Sequence, residues 1–156
     1  MHEDLGLQKG DVAGIWSGNS YNWLAIEYAC ARLGVIFCTI NPYFKTQELD
    51  YVLRKAEVKA LFLPGGKSSQ ESLNNFTNVL GETLNIDKGQ HRTSDPLLLK
   101  NVVFIDGEAN DSVAKNGVRI HSLEKLKNRS SDLDSAITSK VSPDDPAVIM
   151  FTSVSS

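Results

Sequence analysis

The sequence predicts an α/β fold built on a mostly parallel sheet with crossover helices, and two observations lead there. Short apolar runs alternate with helix-period stretches through the first half of the chain, and those stretches carry recognisable start and stop residues. Strands are expected over residues 12–16, 35–40 and 60–63. Between the first two lies a helix over 20–33, with Asn19 or Ser20 as its N-cap and Gly34 as its stop. Its apolar residues Trp23, Leu24, Ile26, Cys30 and Leu33 cover most of its circumference, so burial on most sides is expected. A second helix over 46–56 places Leu49, Val52, Leu53 and Ala56 on one face, with Glu48 and Asp50 near its positive end and a polar face toward water. Ser68 and Glu71 have capping-box spacing for a third helix, whose inward stripe is Leu73, Phe76, Thr77 and Leu80.

The pattern then weakens. Residues 81–100 read as a polar surface loop containing Asp87, Lys88, Gly89, Gln90, His91, Arg92 and Pro96. Strands return at 101–106 and 118–121, followed by a short helix over 122–128 and a weakly helical or irregular stretch over 130–140. Ser142-Pro143-Asp144-Asp145-Pro146 is a turn, and the apolar run 147–151 after it is expected to be a buried strand.

Composition excludes several classes. The 156 residues carry 16 Lys plus Arg against 19 Asp plus Glu, a net charge of −3, with 41% hydrophobic and 22% charged residues. No basic stripe attracts nucleic acid, and no apolar run approaches the roughly 20 residues of a membrane span. Cys30 and Cys38 are too few for a disulfide framework, lack metal-ligand spacing and read as reduced core thiols. The first ten residues lack both a signal-peptide apolar core and a transit-peptide composition, so an intracellular chain is expected.

Few residues carry an obvious chemistry. Thr152, Ser153, Ser155 and Ser156 place four hydroxyls just after the last strand, where a loop can direct donors at phosphate oxygens. Leu61 to Ser68 resembles the end of a Walker A loop, but leucine stands at position 61 where that motif requires glycine, so a strand-to-helix turn at Gly65-Gly66 is the better reading. Gly18-Asn19-Ser20 is explained by helix capping. Trp16, Tyr21, Trp23 and Tyr28 read as packing residues. His2, His91 and His121 have no metal-site spacing, and Asp144 and Asp145 read as solvated or capping groups in their turn.

Six short pieces in order resemble the N-terminal domain of the adenylate-forming, AMP-binding acyl-CoA synthetases, most closely the medium-chain fatty-acid branch. They are Leu5-Gly6-Leu7 with Lys9-Gly10-Asp11; Asn19 to Trp23 with Ala31 to Gly34; Ile40-Asn41-Pro42; Glu48 to Leu53; Lys59 to Phe62; and Asp145-Pro146 leading into Phe151-Thr152-Ser153. Residues 81–140 match least. The resemblance implies that 1–156 is part of that N-terminal domain, cut within its phosphate loop. It implies a parent reaction of acyl adenylation by ATP with Mg2+, then transfer to coenzyme A. It also implies a fatty acid as substrate and mitochondria as compartment.

Thr152, Ser153, Ser155 and Ser156 map onto hydroxyl positions of the family's phosphate-holding loop. Val154 stands where the family has glycine, and a β-branched residue resists positive φ and blocks close backbone approach to a phosphate. The family's adenine motif, ribose-binding aspartate and C-terminal lysine are not among these 156 residues. The isolated chain is therefore expected to be inactive, with neither ATP nor coenzyme A bound well. The alternative is a non-catalytic α/β interaction module derived from the scaffold, associating with full-length subunits. Bare sheet edges predict aggregation or marginal folding.

Overall fold

Val12–Trp16 (β1) has no charged side chain, and all five residues are buried. A strand buried on both faces needs a hydrogen-bonded neighbour on each edge and cover on each face. The computed structural model, which describes residues 2–65, 97–106, 112–113, 117–128 and 140–152, supplies all of these. Ile36–Ile40 (β2) pairs in parallel with one edge of β1, and Val58–Leu63 (β3) with the other. Asn101–Phe104 (β4) adds beside β3; then come the two-residue Ser112–Val113 (β5) and Arg119–Ser122 (β6), with β6 parallel to β4. Val148–Met150 (β7) lies parallel beside β2, and among the described residues only the β5 pairing is antiparallel. The order across the sheet is β5-β6-β4-β3-β1-β2-β7. The expected mostly parallel sheet is thus the observed one.

Among the described residues the helices are His2–Leu5 (α1), Tyr21–Leu33 (α2), Thr46–Lys55 (α3) and Leu123–Asn128 (α4). The chain moves one way from β1 to β2 and the opposite way from β2 to β3, so right-handed crossovers place α2 and α3 on opposite faces. Packing agrees. Ile26, Cys30 and Leu33 of α2 join Leu123 and Leu126 of α4 over Ala13, Ile15, Phe37, Ala60 and Phe62. Leu49, Val52 and Leu53 of α3 cover Cys38, Ile40, Leu61, Leu63 and Val102 on the other side. A bulge at the start of β3 lets Val58 and Leu61 share one face although they are an odd three positions apart.

The sequence signals act as expected at α2. Ser20 is the N-cap, its hydroxyl accepting the Trp23 amide at 3.1 Å, and Gly34 ends the helix at φ 67° with its amide on Ala31 O. Three expectations need correction. First, α2 is buried on one face and not on most: Tyr21 and Tyr28 stand 82% and 65% exposed and Leu24 points outward with them. A helix over one face of a sheet can offer that sheet only one stripe, here Ile26, Cys30 and Leu33, with Trp23 edge-on to Phe37 at 5.0 Å. Tyr21 and Tyr28 are therefore not packing residues.

Second, α3 does not keep all its charges in water. Asp50 and Arg54 are buried, joined at 3.0 Å, because their i,i+4 spacing lets them pair within the helix. Third, β7 is not a buried strand. It takes an edge of the described sheet, with Val148 44% and Met150 72% exposed, and only Ile149 packs into the core. Residues 68–80, 81–96 and 130–139, where a helix, a loop and a weak helix were expected, lie outside the described residues.

Two positions with left-handed backbone give predictions of opposite sign. A Cβ at Gly34 would also lie 2.9 Å from Lys9 Cγ, so Gly34→Ala should lower unfolding free energy by about 1–3 kcal/mol. Glu57 holds φ 54° between α3 and β3 with an ordinary side chain, so Glu57→Gly should be neutral or stabilising by up to about 1 kcal/mol. Urea unfolding of both variants against the parent chain measures the two signs.

Candidate functional site

Because the long strands are parallel, β1, β2, β3, β4 and β7 all end on one edge, and the chain leaves adjacent β1 and β3 in opposite directions. Ligands of open α/β sheets bind outside the carboxyl ends of strands at such a switch point. The exits are Ser17 to Ser20 after β1, Asn41 to Lys45 after β2, Pro64 and Gly65 after β3, Ile105 and Asp106 after β4, and Phe151 and Thr152 after β7.

Each exit is shaped by a local device. Ser20 caps α2, confirming the capping explanation of Gly18-Asn19-Ser20. Asn41 folds the β2 exit by accepting the Tyr43 amide on Oδ1 at 3.0 Å and the Phe44 amide on its carbonyl at 3.0 Å. The Glu48 carboxylate accepts the Lys45 amide at 3.0 Å and so fixes the start of α3. Gly65 is a packing glycine: a Cβ there would lie 2.1 Å from Asp106 O and 2.9 Å from Phe104 Cβ. The β3 and β4 exits touch backbone to backbone at this point, which favours the turn reading over a phosphate cradle. Lys67 and Ser68 lie outside the described residues. Lys127 Nζ donates to Asn22 Oδ1 at 2.7 Å, and Asn22 Nδ2 reaches Asp106 Oδ1 at 3.4 Å, joining α4, α2 and the β4 exit.

Of the four expected phosphate-loop residues, Thr152 is described. It is exposed and directly follows Phe151, whose ring meets Tyr51 of α3 edge-on at 6.2 Å. Ser153, Ser155, Ser156 and the intervening Val154 lie outside the described residues. Among the described residues no group of three or more His, Cys, Asp and Glu side chains has the geometry to hold a metal ion.

Other candidates lie away from this edge. His121 is buried in β6, with Nε2 3.2 Å from Asn101 Oδ1, while Asn101 Nδ2 donates to Leu5 O at 2.9 Å. This buried polar pair ties α1 to β4 and β6, and nothing local in the sequence marks it. Asp145 caps its own turn as expected by accepting the Ser142 amide at 2.7 Å, but it also pairs with Lys9. Burial pushes the Cys30 and Cys38 thiols up to about 12, with Glu27 adding to the effect at Cys30. Neither is a nucleophile.

A profile of the AMP-binding enzyme family matches residues 1–155. The chain belongs to the AMP-binding enzyme family. It is 32% identical over 154 residues to the mitochondrial medium-chain acyl-CoA ligase ACSF2 of Macaca fascicularis, covering 96% of this chain and 24% of that protein. It is 28% identical over 101 residues, 65% of this chain and 18% of the other, to the putative acyl-CoA synthetase YngI of Bacillus subtilis. The fold is that of part of an acyl-CoA ligase: the long-chain-fatty-acid-CoA ligase FadD1 of Archaeoglobus fulgidus aligns with a TM-score of 0.64 and 21% identity, over 95% of this chain and 24% of that one. The chain thus spans about a quarter of the length of these relatives. Among the described residues of this AMP-binding family member, no helix is long and apolar enough to cross a membrane.

Two measurements follow from the geometry. Gly65→Ala should cost about 3 kcal/mol or more, because the obstructing atom is backbone, and denaturant unfolding reads the loss. At pH 8 a thiol with a pKa of about 12 is thiolate in about one part in ten thousand, so Cys30 and Cys38 should resist a disulfide reagent until the chain unfolds. Titration of two thiols without denaturant would contradict their placement.

Proposed function

We propose that this chain supplies the phosphate-binding part of an ATP-dependent medium-chain fatty-acid CoA ligase. The parent reaction is acyl adenylation with Mg2+ followed by thioester formation with coenzyme A. The observation that carries the reading is positional. β7 runs parallel to β2 and delivers exposed Thr152 at the carboxyl edge of the sheet, where ligands of parallel sheets bind, in a chain matched by the AMP-binding profile over residues 1–155. Thr152, Ser153, Ser155 and Ser156 are the residues that would hold the ATP phosphates. The medium-chain acid and the mitochondrial compartment follow from the names of the ACSF2 relatives.

The 156 residues alone should not catalyse. Stabilising a transferring phosphate needs several preorganised donors together, and losing one such donor commonly costs about 100-fold. Val154 favours the second reading, a non-catalytic α/β module, because it stands where the resembled family has glycine and a β-branched residue resists positive φ.

ATP–pyrophosphate exchange with medium-chain fatty acids separates these readings. The 156-residue chain should show no exchange above a protein-free control, and turnover by it would contradict the inactivity. Should the transcript read past codon 156 into Gly-x-Pro-Lys, its longer product should exchange in the presence of a medium-chain acid. A stop at that codon with abundant stable protein would favour the interaction module.

A further inference from the structure

β7 has a weakly determined register on burial grounds. It is three residues long, and only Ile149 packs into the core, while Val148 and Met150 are 44% and 72% exposed. A slip of one residue inverts the faces of a strand. Here it would replace Ile149 in the core by Val148 or Met150, both apolar, so hydrophobic burial discriminates poorly between the alternatives. The structure nevertheless pairs Phe37 with Val148, Cys38 with Ile149 and Thr39 with Met150.

Polar contacts at the entrance to β7 supply what burial does not. Lys9 Nζ donates to Lys140 O at 2.7 Å and lies 2.7 Å from Asp145 Oδ2. The Asp145 carboxylate also accepts the Ser142 amide at 2.7 Å, and the Asp145 amide returns to Ser142 O at 3.1 Å. Two residues on, Ala147 O accepts the Phe37 amide at 2.8 Å, the first bond between this segment and β2. Lys9 is itself held in place, since Gly10 N donates to Gly34 O and Asp11 O accepts the Ile36 amide, each at 2.8 Å. The bare Cα of Gly34 gives room to both partners: a Cβ there would lie 2.9 Å from Lys9 Cγ and 3.2 Å from Val141 Cγ2. A one-residue slip moves a strand by about 3.3 Å, enough to break the contacts of Lys9 with Lys140 and Asp145 and the bond from the Phe37 amide to Ala147 O.

We propose that Lys9 is a positioning residue: with Asp145 it clamps the turn before β7, fixes the register of that strand on β2, and so sets where Thr152 stands at the carboxyl edge. The consequence for Thr152 rests on the phosphate-loop reading; the clamp does not. An exposed ion pair of this kind adds little to overall stability, so its effect is local to β7. Lys9 foremost, then the Ser142 amide, holds the Asp145 carboxyl below its ordinary value of 3.8.

Amide hydrogen exchange in the 156-residue chain tests the clamp without nucleotide. The Phe37 amide reports on β7 through Ala147 O, and the Ile105 amide, bonded to Leu63 O at 2.8 Å on the far side of β1, is the reference. Lys9→Met and Asp145→Asn should each raise the Phe37-to-Ile105 exchange ratio about threefold to tenfold. The double variant should do no more than the larger single change, and Lys9→Arg should stay near the parent value. The carboxylate contribution is present at neutral pH and is lost as pH falls below 3.8 and Asp145 takes up a proton. There the ratio should rise in the parent chain and stay level in Lys9→Met. An unchanged ratio at neutral pH, or both amides accelerating together as a merely global loss of stability requires, would overturn the proposal. Failure of the longer product to exchange pyrophosphate would remove the phosphate reading and leave the clamp standing.

Discussion

Two-sided burial of β1 is the constraint on which the rest of the molecule depends. All five of its residues are buried, so the chain must return twice to pair with both edges and must cover both faces. Ala13 and Ile15 face α2, whereas Val12 and Trp16 face α3. Gly14 sits between, leaving room for Ile40 Cδ1 and Val58 Cγ1, which would lie 3.0 and 3.1 Å from a Cβ at that position. The strand pairing and the closeness of the α3-side packing are therefore met at one residue. Right-handed crossovers then leave no choice about which helix lies on which face.

The candidate site follows from that arrangement. With β2 on one side of β1 and β3 on the other, the connections diverge at the carboxyl edge and open the place where parallel sheets bind ligands. β7 reaches this edge from the far end of the chain, and its exit is the segment that resembles the family's phosphate loop. Apolar packing falls away from β1 toward β7. β1 and β3 are held by apolar packing on both faces, while β7 has one core residue and a polar clamp at its entrance. The turn before β7 packs beside Gly34, at the opposite end of the sheet from Thr152.

Much of this was legible in the sequence, for physical reasons. Residues 12–16 could be read as a strand because a short run without charged residues, bounded by turn signals, suits a strand covered on both faces. The ends of α2 could be read because Ser20 and Gly34 satisfy local backbone demands that no distant residue alters. The family could be read because six short pieces keep their order. What failed was anything decided by distant partners. Tyr21, Leu24 and Tyr28 look like core by composition, yet a single sheet face covers only one stripe of α2. Asp50 and Arg54 look solvated, yet they neutralise one another within the helix and are buried as a pair. Lys9 and Asp145, or Asn101 and His121, meet across long stretches of chain, and no local spacing announces either contact.

Native-state hydrogen exchange along the sheet under increasing mild denaturant tests the primacy of β1 most directly. The amides of β1 and β3 should exchange last, at the free energy of global unfolding, with β2 and β4 close behind and β7 opening well before them. Amides of β7 or of α2 persisting after those of β1 have exchanged would contradict the account.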